Sequence, residues 1–409
     1  MLRHRQQRMS GRDPGQHHRA ATPLELLFDL TFVVAFGTAA NELAHGLAEG
    51  HVTGALAGFG FATFGVSWAW INFTWFASAY DTDDWLYRLT TMLQMVGVLV
   101  FALGLPEMFG SIEDGETLEA DVMVWGYVVM RVAMLAQWSR AWRHDRGRRA
   151  AHRSYLASIT AAQVLWCALA VLDFSVPLTF ALIAVPLVVE MGGPALAERR
   201  YGGTPWHAHH IAERYGLMVI IALGEGMIGT MASLTALATE GLTRDIAVLA
   251  LAGTALTFGL WWTYFVIPHG PILHARRSRS LGWGYGHMLV FGAIVAIGAG
   301  LHVAAYYLEH HSELSLVATM LTIAVPTGVY LLVFYALYAA FSRSVDPLHF
   351  LLVTLSVAVL ALSVVLAALG LGVVWCVLVL AATPWVTVLG YEAIGYRHNA
   401  EVLVALEEG

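Results

Sequence analysis

The chain of 409 residues has no lysine, and all 22 of its basic residues are arginine. Charged residues make up 12% and hydrophobic ones 58%. A soluble domain carries about 25% charge, so composition excludes that class and points to a membrane protein. There are two cysteines, Cys167 and Cys376, each inside an apolar run in opposite halves of the chain. That placement excludes a disulfide framework and a thiolate metal site. The polar, Arg-rich start lacks a short apolar core with a small-residue cleavage site, so no signal peptide is expected. Phosphate-binding glycine loops, a nucleophile elbow and a basic nucleic-acid surface are missing. The expectation is therefore a protein that is not an enzyme, with no cofactor and no nucleic-acid partner.

What is there is a succession of apolar stretches. After an arm at 1–20 carrying Arg3, Arg5, Arg8, Arg12 and Arg19, about twelve runs of spanning length follow, from 24–46 to 372–393. The arm is expected to be disordered. If the N-terminus is cytoplasmic, 20 arginines fall inside, Arg244 falls outside, and Arg131 is left within the membrane. This positive-inside pattern predicts N-in, C-in topology in the bacterial cytoplasmic membrane.

The chain also repeats itself. Thr63-Phe-Gly-Val-Ser-Trp68 matches Thr257-Phe-Gly-Leu-Trp-Trp262 at an offset of 194, Met92 matches Met288 at 196, and Pro186 matches Pro384 at 198. These near-constant offsets predict an all-α, polytopic protein of two parallel six-helix repeats. The first half would run over 21–196 and the second over 210–396, with a cytoplasmic linker at 197–209 and an acidic tail at 397–409.

The charges inside these runs are the candidates for function, because an ionisable group in a membrane helix costs roughly 3 kcal/mol on insertion scales. Glu25 and Asp29 open the first run one helical turn apart. Glu25 can serve as a helix cap, and Asp29 lies a turn deeper. Arg131 lies near the middle of the fourth run and needs a partner, with Glu225, Glu190 and Asp29 at compatible depth. Glu225 lies twelve residues, about 18 Å along a helix, beyond Glu213 and is flanked by Gly224 and Gly226. His287 could titrate near neutral pH if water reaches it.

At the cytoplasmic mouth, Asp81, Asp83 and Asp84 precede Arg88, and His207, His209 and His210 precede Glu213 and Arg214. The acidic loop is expected to cap the next helix and pair with Arg88, or else to collect cations. The histidine spacing matches no zinc pattern, so no metal is assigned.

Three stretches resemble one family. Glu25-Leu-Leu-Phe-Asp-Leu-Thr-Phe-Val, Tyr80-Asp-Thr-Asp-Asp84 with Arg88, and His210-Ile-Ala-Glu-Arg-Tyr-Gly-Leu217 running on to Ile220-Ile-Ala-Leu-Gly-Glu225 resemble the motifs of the bacterial low temperature requirement A (LtrA) proteins. The likeness covers about 21–395. Leu27 and Gly226 depart from the family's usual Phe and Ser, and neither change removes a carboxylate. The resemblance implies a polytopic membrane protein named for a cold-growth phenotype. Phe28-Asp29 is also similar in layout to the Phe-Ser-Asp helix of two-repeat potassium channels, but the second half has Leu217 at the position matching Asp29.

Three functional expectations follow. The leading one is a secondary transporter moving a small solute or inorganic ion through a site where Asp29, Arg131 and Glu225 meet between the halves. The second is a cation channel with Asp29 near the pore. The third is a sensor or scaffold whose buried charges are structural. The lipid bilayer is the certain surrounding, and a homo-oligomer is compatible with all three.

Overall fold

The computed structural model describes residues 6–17, 19–172, 174–238, 243–342 and 347–407. Arg3, Arg5 and Arg343 of the arginine pattern, and 408–409 of the acidic tail, lie outside the described residues. The elements are α1 (Pro23–Ala48), α2 (Val52–Tyr80), α3 (Trp85–Leu103), α4 (Leu105–Asp114), α5 (Asp121–His144), α6 (Arg149–Val171), α7 (Val176–Arg200), α8 (Ala208–Ala238), α9 (Arg244–Phe265), α10 (His269–Ala275), α11 (Ser280–Leu308), α12 (Leu316–Ser342), α13 (Pro347–Ala368), α14 (Val373–Ala381), α15 (Thr383–Gly390) and α16 (Tyr396–Glu407). No strand occurs among the described residues; an isolated bridge joins Thr117 and Ser175. Twelve helical stretches are long and apolar enough to cross a bilayer, so this is a multi-pass membrane protein.

Some spans are broken where the sequence demands it. Gly104, followed by Pro106 in the first turn of α4, divides the third span into α3 and α4. Pro384 starts α15 and interrupts the last span, while Pro186 and Pro326 remain inside α7 and α12. The chain forms two compact units, one of 1–38 with 65–214, the other of 39–64 with 215–409. This partition differs from the halves that the repeat suggests, since 39–64 go with the second unit.

In the first unit α3 packs along α5 at unusually close range. A Cβ at Gly97 would lie 2.7 Å from the Gly126 carbonyl oxygen and 2.6 Å from the Met130 side chain, so only glycine permits the approach. Closeness brings side-chain amides together. Gln94 donates to Gln137 at 3.0 Å, and Gln137 donates to Thr90 and Thr91 at 3.0 and 3.1 Å. In the second unit α11 is the most enclosed span, with 83% of its apolar window buried. Its neighbour α12 sends Tyr330 across to donate to the Leu260 carbonyl of α9 at 2.8 Å.

Composition predicts disorder over 1–20, yet residues 6–17 are packed against the first unit. Met9 is fully buried and its N–H donates to His144 Nδ1 at 3.1 Å. The Gln7 N–H donates to Asp84 Oδ2 at 2.9 Å, Arg140 donates to the Gln7 carbonyl at 2.6 Å, and the Arg12 N–H donates to the Ala79 carbonyl at 2.9 Å. The physical reason is that helix ends and the acidic loop offer unsatisfied acceptors, which a polar, arginine-bearing strand satisfies.

Asp84 is the pivot of this region. It caps α3 by accepting from the Tyr87 N–H at 3.0 Å and forms a buried ion pair with Arg140. Burial opposes its ionisation, but Arg140 and the two backbone N–H groups outweigh that and bring it down to about 2. Asp81 is different. Burial, with the Glu25 charge adding and Arg19 and Arg12 opposing, pushes it up to about 6 from an ordinary 3.8.

These opposite shifts give opposite pH behaviour. The stabilisation from Asp84 is present above the ordinary carboxylate range and fades as pH falls towards 2. Asp81 favours the folded state when protonated, so its cost appears as pH rises from about 4 to about 6. Asp84→Ala, which leaves Arg140 buried without its partner, is expected to destabilise the protein by about 3–5 kcal/mol. Asp81→Asn is expected to raise the unfolding midpoint at pH 7.5 and to change nothing at pH 3.5. Thermal unfolding in detergent at those two pH values checks both.

Candidate functional site

The site of greatest charge density is a buried ladder in the first unit. It begins with a capping box. The Glu25 carboxylate accepts from the Thr22 N–H at 2.7 Å while the Thr22 hydroxyl accepts from the Glu25 N–H at 3.3 Å, with Pro23 in the first helical position. The other Glu25 oxygen faces Arg214 Nη1 at 3.0 Å and His210 Nε2 at 3.2 Å. One turn along α1, Asp29 Oδ1 accepts from Arg214 Nη2 at 2.5 Å and from Trp70 Nε1 at 2.7 Å.

Glu25 and Asp29 are spaced i,i+4 on α1, and His210 and Arg214 are spaced i,i+4 on α8. Two one-turn rungs therefore meet in register. All four residues are at most 1% exposed. The guanidinium also lies 5.7 Å from the Trp70 ring centre and 6.0 Å from that of Phe73. Phe28 closes over Phe73 with ring centres 3.9 Å apart. A single arginine thus holds two carboxylates in a water-poor setting walled by aromatics.

A second polar cluster in the same unit surrounds Arg131. Its partner is Glu190 at 3.2 Å, with the Tyr127 hydroxyl bonded to both and Gln163 donating to Glu190 at 3.3 Å. The cation also stacks 4.6 Å from the Tyr127 ring centre. Of the three candidate partners the sequence offers, Glu190 is the one engaged. Asp29 is taken by Arg214.

Glu225 is the other acid that the sequence places within the spans. It belongs to the second unit, is 2% exposed, and has no hydrogen bond or ion pair among the described residues. It sits where α8 crosses α11. A Cβ at Gly298 would lie 2.7 Å from the Glu225 Cβ and 2.6 Å from its carbonyl carbon, so glycine alone allows this crossing. One turn on, Gly229 faces the Gly298 carbonyl and His302. The Ser233 hydroxyl then donates to the Leu301 carbonyl at 2.7 Å.

The remaining candidates divide cleanly. His287 is not water-accessible: its Nδ1–H donates to the Trp283 carbonyl at 2.8 Å, leaving Nε2 to accept from the Tyr264 hydroxyl at 3.0 Å. It is a satisfied core histidine among the rings of Tyr215, Trp283 and Phe291. Asp83 makes a two-pronged exposed pair with Arg88, both contacts at 2.8 Å. Asp81 faces Arg12 at 3.6 Å, and exposed Glu213 accepts from the Ala21 N–H at 3.4 Å. Arg214 and His210, which the sequence places at the mouth, belong to the buried ladder.

Trp70 and Tyr127 have no sequence signal as site residues, because apolar context hides an aromatic donor among many. The matched i,i+4 spacing of two acids and two bases is the one pattern that could have exposed the ladder.

A family model described as Bacterial low temperature requirement A protein (LtrA) matches residues 20–383. The chain is similar to an uncharacterized protein of Rhizobium meliloti (strain 1021), at 29% identity over 309 residues, covering 69% of each chain. No solved structure matches.

The ladder makes a stability claim. Arg214→Ala strands two buried carboxylates and is expected to cost about 3–5 kcal/mol. The triple change Glu25→Gln, Asp29→Asn, Arg214→Gln removes all three charges and is expected to recover most of that loss. Unfolding midpoints of the two variants in the same detergent check it; equal losses would mean that the charges do not interact.

Proposed function

Because the chain belongs to the bacterial LtrA family of multi-pass membrane proteins, we propose that it is a secondary transporter of a small solute or inorganic ion in the bacterial cytoplasmic membrane, with Glu225 as the coupling group. Glu225 carries this reading. The buried acids Glu25, Asp29 and Glu190 each have a cationic partner, and Glu225 has none among the described residues. An ionised carboxylate without a partner in hydrocarbon costs several kcal/mol. Whatever neutralises it, a proton or a cation, is held by that cost and released when the surroundings change. Such a group suits coupling and does nothing for stability.

The crossing supports the same reading. Glycine at 226, 229 and 298 lets helices approach without interlocking side chains, which favours small sliding or rocking movements. Arg131 with Glu190, and the ladder at Arg214, serve in this reading as fixed scaffold. Transport and not catalysis is what these residues are suited to.

The channel alternative draws on Phe28-Asp29. Asp29 directs its Oδ1 at Arg214 and Trp70, so it is engaged as an anion partner and not presented to a passing cation. That engagement favours the carrier.

In proteoliposomes, Glu225→Gln is expected to lower gradient-driven uptake at least tenfold while leaving the unfolding midpoint and the monodisperse elution of the protein unchanged. Loss of folding in Glu225→Gln would overturn the coupling role. A voltage-driven, non-saturating potassium or sodium flux from the unaltered protein would replace the carrier with the channel.

A further inference from the structure

The arm precedes the family-matched segment, which begins at residue 20, yet a continuous run of polar contacts joins it to the buried ladder. The Gln16 carbonyl accepts from His207 Nε2 at 2.8 Å. A carbonyl only accepts, so Nε2 carries the imidazole proton. His207 Nδ1 is then free to accept, and it does so from the His210 backbone N–H at 3.2 Å. His210 faces Glu25 at 3.2 Å, and Glu25 faces Arg214 at 3.0 Å.

A second line runs beside the first. The His207 N–H donates to Ser78 Oγ at 3.0 Å, and Arg19 donates to the carbonyls of Ala77 and Ser78 at the end of α2. The arm therefore ties the end of α2, the start of α8 and the segment before it beside the His210 end of the ladder.

We propose that the arm is a releasable strap, which when docked shuts water away from the ladder of Glu25, Asp29, His210 and Arg214 and when lifted admits it. This goes beyond the transport reading and does not depend on it. Two observations support the seal. His207 is 6% exposed and His210 is 0% exposed, whereas His209 between them is exposed. The arm also fits closely at Gly11, where a Cβ would lie 2.6 Å from Pro205 Cγ and 3.2 Å from Asp145 Oδ2.

Two others show that it can leave. Its ion pair to Asp81 spans 3.6 Å with Arg12 28% exposed, and partly exposed pairs contribute under about 1 kcal/mol. Met9 supplies its one deeply buried large apolar side chain among the described residues of the arm. The arm's other polar contacts contribute about 0.5–1.5 kcal/mol each, because water replaces the partner when the arm lifts.

The test uses the full chain in lipid nanodiscs and diethyl pyrocarbonate, which modifies accessible neutral imidazoles, with peptide mass spectrometry as readout. In the unaltered protein His207 and His210 are expected to react at least tenfold more slowly than His209. Gly11→Val, which cannot seat beside Pro205, and deletion of 2–17 are both expected to raise the rate at His207 and His210 at least tenfold. His287, buried in the second unit, reports folding and stays unmodified throughout. If Gly11→Val disturbs the fold, the deletion carries the comparison. Reaction of His207 at the rate of His209 in the unaltered protein overturns the strap. So does continued protection of His210 once the arm is gone.

Discussion

The buried charges of this protein are arranged around the cost of holding charge in hydrocarbon. Arg214 answers that cost most fully, since one guanidinium accommodates Glu25 and Asp29 and shares Glu25 with His210. Its planar fork is what makes this possible, because two donor groups reach two carboxylates a helical turn apart. The capping box at Thr22 and Glu25 fixes the start of α1, which places both acids, and Trp70 adds a second donor to the Asp29 oxygen that Arg214 meets. A lysine would offer one point of charge and could not bridge both rungs.

The Arg131 cluster solves the same problem by a different route. There the partner is Glu190, and Tyr127 and Gln163 add hydrogen bonds to it. Buried pairs of this kind specify a particular packing more than they add net stability. Against that background the isolation of Glu225 carries meaning. A chain that pairs its other deeply buried acids so thoroughly leaves this one at a glycine crossing, where neither an arginine nor an amide among the described residues pairs with it. The physical contrast between paired and unpaired acids, more than any single motif, separates scaffold from working site.

The twelve spans and the helical class were legible in the sequence because length and apolarity alone decide them. Glu25 and Asp29 on one face of α1 were legible too, from a spacing of four. Partner choice was not. Arg131 had three acids at suitable depth, and depth says nothing about which helices are neighbours. His287 looked titratable because its sequence shows a lone histidine in an apolar run, whereas the Tyr264 hydroxyl and the Trp283 carbonyl that satisfy it lie on other turns and other helices. The arm looked disordered because its composition is polar, and its packing depends on acceptors at helix ends that composition does not contain.

What the sequence determined by itself is therefore local or additive. Helix periodicity, spanning length, the proline and glycine breaks at 104 and 384, and the capping box are set by residues within a few positions of one another. What only the tertiary structure decided is which charge meets which. Glu25 and Arg214 are separated by most of the first unit in sequence, and their pairing follows from helix packing that a one-dimensional pattern does not encode. The same holds for the solitude of Glu225, because the lack of a partner is a property of the whole surrounding shell of side chains and not of any residue in it.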